Sequence, residues 1–226
     1  MTPDELNTLE NDLRAAALNV RIAALNTLAA QPAADAVPIL QRLSKEESFL
    51  LRRLAVMGFA NPAPDEAAFN SLYELVTTET DANVLAEVAN SIYDFGDKSI
   101  PILVQMFAAN DNWLLRQTVL AILQESNHPE VLLDVSLQAL EDPTQTVKET
   151  AILALRQVLA SPLQLQALAT LTKLAQSEIW RDRWRAATAL TGCDHPQATD
   201  LLTQLQQDEN HYVVAAALDA SMGSGV

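Results

Sequence analysis

The chain has 226 residues, 49% of them apolar, with five glycines, one cysteine and a formal net charge of −15. A charge of that sign argues against nucleic acid or an anionic membrane surface as partner, because both need clustered Lys and Arg. The single Cys193 allows no internal disulfide, and no apolar run reaches the ~18 residues of a membrane span.

The chain opens with Thr2 before Pro3, which suits an N-cap followed by proline at the first helical position. The acidic start, Met1-Thr2-Pro3-Asp4-Glu5, lacks the basic and then apolar opening of a signal peptide, so a cytoplasmic protein is expected. Ala34 to Lys45 carries Val37, Ile39, Leu40 and Leu43 at helical spacing. A polar break at Glu46-Glu47-Ser48 separates it from a second helix, Phe49 to Phe59. Asn61-Pro62-Ala63-Pro64 should end that helix, since proline has no amide donor and a fixed φ. Gly96 follows Asp94-Phe95 as a left-handed C-terminal residue.

The same alternation continues. Ile100, Ile102, Leu103, Met106 and Phe107 form one helix, Asn110-Asp111-Asn112 breaks it, and Trp113 to Leu123 forms the next. Val131, Leu133, Leu137 and Leu140 precede Glu141-Asp142-Pro143-Thr144 and a helix from Val147 to Leu159. His128-Pro129, Ser161-Pro162 and His195-Pro196 open later helices, and Gln207-Asp208-Glu209-Asn210 precedes a last one, Tyr212 to Ala220.

These pairs repeat. Arg21, Arg52, Leu85, Arg116, Lys148, Arg183 and Val214 fall in register at steps of 31 to 35 residues. Three residues beyond each anchor stands Ala24, Ala55, Val88, Val119, Ala151, Ala186 or Ala217. Seven beyond stands Leu28, Phe59, Ile92, Leu123, Leu155, Leu190 or, at the last, Ser221. Such a period means stacked helical hairpins, each touching only its neighbours. The expected fold is all-α: one domain over residues 1–226, a right-handed α-solenoid of about seven hairpins. Their approximate limits are 2–31, 32–61, 64–96, 97–126, 127–160, 161–192 and 194–222. The small third residue lets successive second helices approach closely. The basic anchor can bridge to acidic turn residues of a neighbouring hairpin while its methylenes cover apolar surface.

The second-helix strings resemble HEAT repeats. Arg183-Trp184-Arg185-Ala186-Ala187-Thr188-Ala189-Leu190 is the clearest copy, with Val147 to Leu155 and Val20 to Leu25 similar. The short Arg-x-x-Ala-Ala-x-x-Leu core also looks like the HEAT proteins related to cyanobacterial bilin lyases. That group includes E/F-type chromophore lyases, which act as paired subunits, phycobilisome-degradation factors and a partner of an iron–sulfur scaffold protein. The resemblance therefore implies a phycobilin lyase-like or phycobilisome-handling protein, or an assembly partner of an iron–sulfur scaffold, as alternatives. A tetrapyrrole or an iron–sulfur protein would then be the partner.

The residues themselves favour a non-catalytic protein-binding scaffold or adaptor, with another protein as partner and no cofactor. Asp94-Phe95-Gly96 matches a kinase tripeptide without the glycine-rich loop or catalytic-loop string that kinases need. Cys193, Asp194 and His195 stand together, but no further Cys or His follows at a ligand spacing, so a loop is the simpler reading and no metal is expected. No nucleophile-elbow string accompanies His128, His195 or His211.

The strongest candidate is Trp180-Arg181-Asp182-Arg183-Trp184-Arg185, a basic and aromatic spot in an acidic chain. Trp180 and Trp184 share a helix face, and Trp and Arg are the residue types that anchor interfaces. Trp180, Arg181, Trp184 and Arg185 are the candidate binding residues. The rival reading puts a Trp in the core with Arg stacked over it and Asp182 neutralising part of the charge. Three residues before four of the seven anchors come Phe49, Trp113, Trp180 and His211, where the other three have Leu18, Ala82 and Gln145. Phe49 is expected to staple its helix to the preceding one. Trp113 joins the binding candidates, because an exposed Trp is costly without a use.

Overall fold

A computed structural model describes residues 1–60 and 65–223; the expected break at Asn61-Pro62-Ala63-Pro64 lies outside the described residues. Among the described residues there are fourteen α-helices, one 3-10 turn and no strand. They run as α1 (Pro3–Leu13), α2 (Leu18–Ala29), α3 (Ala33–Leu43), α4 (Phe49–Phe59), α5 (Glu66–Thr78), α6 (Ala82–Tyr93) and α7 (Ile100–Ala109). Then follow α8 (Trp113–Glu125), α9 (Pro129–Ala139), α10 (Gln145–Leu159), α11 (Gln164–Leu174), α12 (Trp180–Ala189), α13 (Pro196–Leu205) and α14 (His211–Gly223). Hairpins are formed by α1 with α2, α3 with α4, α5 with α6, α9 with α10, α11 with α12 and α13 with α14. Contacts divide the chain into two compact units, Met1–Val119 and Leu120–Val226.

Within the first unit α4 packs on α2 and α6; within the second, α12 packs on α10 and α14. The repeat columns explain this packing. All seven residues three beyond the anchor are buried, and so are the seven-offset residues from Leu28 to Leu190. Ser221, the polar exception, is exposed and accepts from Gln206 Nε2 at 2.9 Å. Gly58 shows how tight the first unit is. A Cβ there would meet Leu40 Cδ2 and press on Leu25 Cδ1, so a larger residue at this position requires the Leu40 side chain to shift.

Two anchors work as the sequence predicts. Arg52 donates to both carboxylate oxygens of Glu79, at 2.7 and 3.1 Å, and to the carbonyls of Glu46 and Glu47. Arg183 does the same with Asp208, at 2.7 and 3.0 Å, and with the carbonyls of Ser177 and Glu178. Each guanidinium thus ties its own turn to the next one.

The acceptor sits six residues before the following anchor, and that position has a second task. Side chains of Glu79, Asn110, Asp142, Ser177 and Asp208 each accept the backbone N–H two residues on. This is the turn chemistry of short polar side chains, and it fixes the start of each second helix.

The helix starts agree with the sequence at Thr2, which forms a capping box with Glu5, and at His195, whose Nδ1 accepts from Gln197 N at 3.2 Å. Ser161-Pro162 differs. Ser161 Oγ accepts from Leu163 N, making a turn first, and α11 begins only at Gln164. Gly96 and Gly192 both hold positive φ, 76° and 78°, as helix-ending glycines.

Candidate protein-binding site

In the second unit the even helices α10, α12 and α14 lie side by side. Trp180 is the first residue of α12, and Trp184 follows one turn later on the same face, with ring centroids 6.0 Å apart. Tyr212, second residue of α14, joins them. Its ring lies 5.5 Å from Trp180, nearly parallel at 22°, and 6.4 Å from Trp184. His211 packs on Tyr212 at 4.1 Å.

Both tryptophans are half-buried and Tyr212 is 53% exposed, so the rings rest on one another at the surface instead of filling the core. Arg185 stacks over Trp184 at 3.8 Å and Arg181 over Trp180 at 4.8 Å. Such stacking holds the flat guanidinium against the ring's negative face.

The charge is balanced differently from the sequence expectation. Asp182 is buried and takes a hydrogen bond from Ser177 Oγ at 3.0 Å. Glu149 of α10 neutralises the arginines instead. Its Oε2 accepts from Arg185 Nε and Nη2 at 2.9 and 2.8 Å, and its Oε1 lies 3.7 Å from Arg181 Nε. Two arginines share one carboxylate, which leaves the patch locally positive. Arg183, in the middle of the string, points the other way into its turn. There it holds the Asp208 carboxyl below the usual carboxylate range, chiefly by its hydrogen bonds.

The structure therefore brings together Trp180, Arg181, Trp184 and Arg185. Trp113 belongs to the first unit, where it opens α8 and is 48% exposed. Phe49 opens α4 and is also substantially exposed, less buried than a staple requires. The turn before it, Lys45-Glu46-Glu47-Ser48, offers no apolar partner, and a helical side chain lies over the turn N-terminal to its own Cα. Sequence reasoning passed over Tyr212 and Glu149. Both were visible in the repeat columns: Tyr212 aligns with Arg181 two before the anchor, and Glu149 with Trp184 one after it.

Cys193 is buried, with the Gln164 amide nitrogen 4.0 Å from its sulfur, and His195 is engaged in its helix cap. Among the described residues no cluster of three or more His, Cys, Asp or Glu side chains is arranged to hold a metal, and no helix is long and apolar enough to cross a membrane.

These stacked hairpins define an α-solenoid. The chain matches the HEAT repeats family over residues 38–124 and 133–222, and it belongs to that family. No curated protein is matched by this sequence. Its fold is similar to that of YibA of E. coli, with a TM-score of 0.67 at 15% identity over 100% of this chain and 82% of that one. It is also similar to the karyopherin Kap121p bound to the extreme C-terminus of the protein phosphatase Cdc14p: TM-score 0.58, 17% identity, 100% of this chain and 30% of that one. The complex of CpcE and CpcF of phycocyanin lyase from Nostoc sp. PCC7120 is matched with a TM-score of 0.49 at 18% identity, over 98% and 88% of the two chains. At these identities the likeness is one of fold.

Proposed function

We propose that this chain is a non-catalytic protein-binding scaffold of the cytoplasm, and that the second unit holds its partner on the ring and arginine cluster of α12 and α14. The observation that carries the reading is the stack of Trp180, Trp184 and Tyr212 at the surface, with Arg181 and Arg185 laid over the tryptophans. Rigid aromatic side chains lose little conformational entropy on binding, and Trp, Tyr and Arg dominate the few residues that carry binding energy. The occupant is a partner protein presenting an apolar side chain beside a carboxylate. The apolar group covers the rings, and the carboxylate meets Arg181, whose side chain is 51% exposed.

The bilin-lyase and iron–sulfur alternatives draw on the Arg-x-x-Ala-Ala strings alone. Cys193 adds nothing to them: the thiol is buried beside an amide, and among the described residues no set of three or more His, Cys, Asp or Glu side chains surrounds it.

The test is affinity capture from the cells that make the protein, with wild type compared against Trp184→Ala, Tyr212→Ala and Arg181→Glu, and with melting followed for each. The expected result is one identified partner, bound by wild type and lost from all three variants at nearly unchanged melting temperature. Retention of that partner by folded variants would move the binding surface elsewhere.

A further inference from the structure

The first unit carries a different feature on its even helices. Between α2 and α4 runs a groove of about 230 Å³, lined by Leu18, Ile22, Leu50, Leu54 and Met57, with Arg21 and Arg53 at its sides. Leu18 is 63% exposed and Leu50 48%, although both are large aliphatic groups. The volume falls below the roughly 300–1,000 Å³ of sites that enclose a small molecule, and suits inserted side chains instead.

Arg21 makes this groove more than an apolar surface. It occupies the anchor column, where Arg52 and Arg183 each bind a carboxylate six residues before the next anchor. For Arg21 that position is Glu46, and Glu46 is taken: Arg14 Nε donates to its Oε1 at 2.8 Å. Arg21 also lacks, among the described residues, the two bonds to its own turn that Arg52 and Arg183 make. Its Nε is buried with no acceptor among the described residues. Arg53, on the other side, is held by Glu87 at 2.8 Å. A cation with no anion among the described residues therefore sits at the edge of an apolar groove, in a chain of net charge −15.

We propose that the α2–α4 groove docks an acidic, leucine-type segment of a partner protein. A Leu, Ile or Met side chain of the segment enters between Leu18, Ile22, Leu50 and Met57. A neighbouring Asp or Glu accepts from Arg21, supplying the acceptor that Glu46 withholds. Burying an apolar side chain gives the affinity, and the charge pairing selects acidic segments over basic ones.

The probe is a random peptide library displayed on phage and selected on the full chain. The expected product is a consensus pairing Asp or Glu with a large aliphatic residue. A synthetic peptide of that consensus should bind the full chain, and Leu50→Ser should weaken it about tenfold. Replacing Glu by Gln in the peptide should weaken it similarly, as should Arg21→Gln, and added salt should weaken it further. If Arg21→Gln does not fold, the peptide substitution carries the charge test and Leu18→Ser the groove test. Trp184→Ala should leave peptide binding unchanged, so this result and that of the α12–α14 cluster stand or fall separately. Absence of any consensus, a basic consensus, or binding indifferent to Leu50→Ser would overturn the proposal. So would a dimer of the free chain that Leu50→Ser dissociates, because a second copy would then be the occupant.

Discussion

The two compact units use one frame for two kinds of surface. In the first, the groove of the even helices is aliphatic, lined by Leu18, Ile22, Leu50 and Met57. In the second, the cluster is aromatic, with Trp180, Trp184 and Tyr212 stacked together and arginines over the two tryptophans. The supporting parts are nearly identical. Arg52–Glu79 and Arg183–Asp208 are the same clamp, with the same pair of turn carbonyls, in different hairpins. The difference is concentrated at the first two residues of the second helix and at the position after the anchor. In the groove and the cluster those residues are exposed or half-buried and lie outside the column of small residues, so they vary without disturbing it.

Removing the clamp should break both halves of the comparison and have the largest effect. Arg183 and Asp208 side chains are 10% and 8% exposed, and stripping one partner from a pair that buried costs about 3–5 kcal/mol. Arg183→Met should lower the denaturant midpoint accordingly. Arg52→Met should cost less, because Glu79 keeps the N–H groups of Thr80 and Asp81 as donors, whereas Asp208 keeps only that of Asn210. Equal losses would show that the two clamps are not the graded pair their hydrogen bonds describe.

Next in size is overpacking. Ala151, at the small column of α10, is fully buried, and Ala151→Trp should destabilise the second unit by about 1–3 kcal/mol or more. Gly58→Ala should cost less in the first unit, because the contacts it makes are the mobile ends of Leu40 and Leu25 and alanine favours the helix. An unchanged thermal midpoint in Ala151→Trp would mean that the neighbouring helices yield more readily than their packing implies.

Acid should then separate the clamps from the rest of the fold. Asp208 is held low by Arg183. At Glu79 burial pushes upward, but Arg52 and the N–H groups of Asp81 and Thr80 outweigh it and the net shift is downward. A carboxyl whose folded pKa lies below its unfolded one stabilises above the unfolded value, here the ordinary 3.8 for Asp and 4.5 for Glu. That stability is lost as pH falls through the folded value. Stability should therefore decline below about pH 4.5, and Asp208→Asn and Glu79→Gln should each flatten the decline. A profile as steep in the variants as in wild type would assign acid sensitivity to other carboxylates.

The smallest effects on stability should come from the surfaces themselves. Tyr212→Ala and Leu50→Ser alter exposed positions and should change unfolding free energy by no more than about 0.5 kcal/mol. Calorimetry beside the binding assays checks this. A large loss of stability would make these side chains part of the frame and remove the contrast between frame and surface.

Much of this was legible in the chain. A period of 31 to 35 residues, with small and large apolar residues at fixed offsets, dictates stacked hairpins whatever the surface carries. The column from Leu28 to Leu190 is buried because helical spacing leaves it nowhere else to point. The anchor arginines were legible too, since a long cation beside acidic turns has an evident partner. What local pattern could not supply was the choice between competing partners. Asp182 stands one residue from Arg181 and three from Arg185 in sequence, yet Glu149 neutralises both. Asp182 is buried and bonded to Ser177, whereas α10 and α12 bring Glu149 within reach. Glu46 occupies the right column for Arg21, yet Arg14 from an earlier helix claims it. Tyr212 meets Trp180 only because α14 packs on α12. The sequence by itself determined the repeat, the helices and the buried columns, because these follow from periodicity within a short stretch of chain. Only the tertiary structure decided which charges are satisfied and which rings meet, because those pairings depend on distances between hairpins.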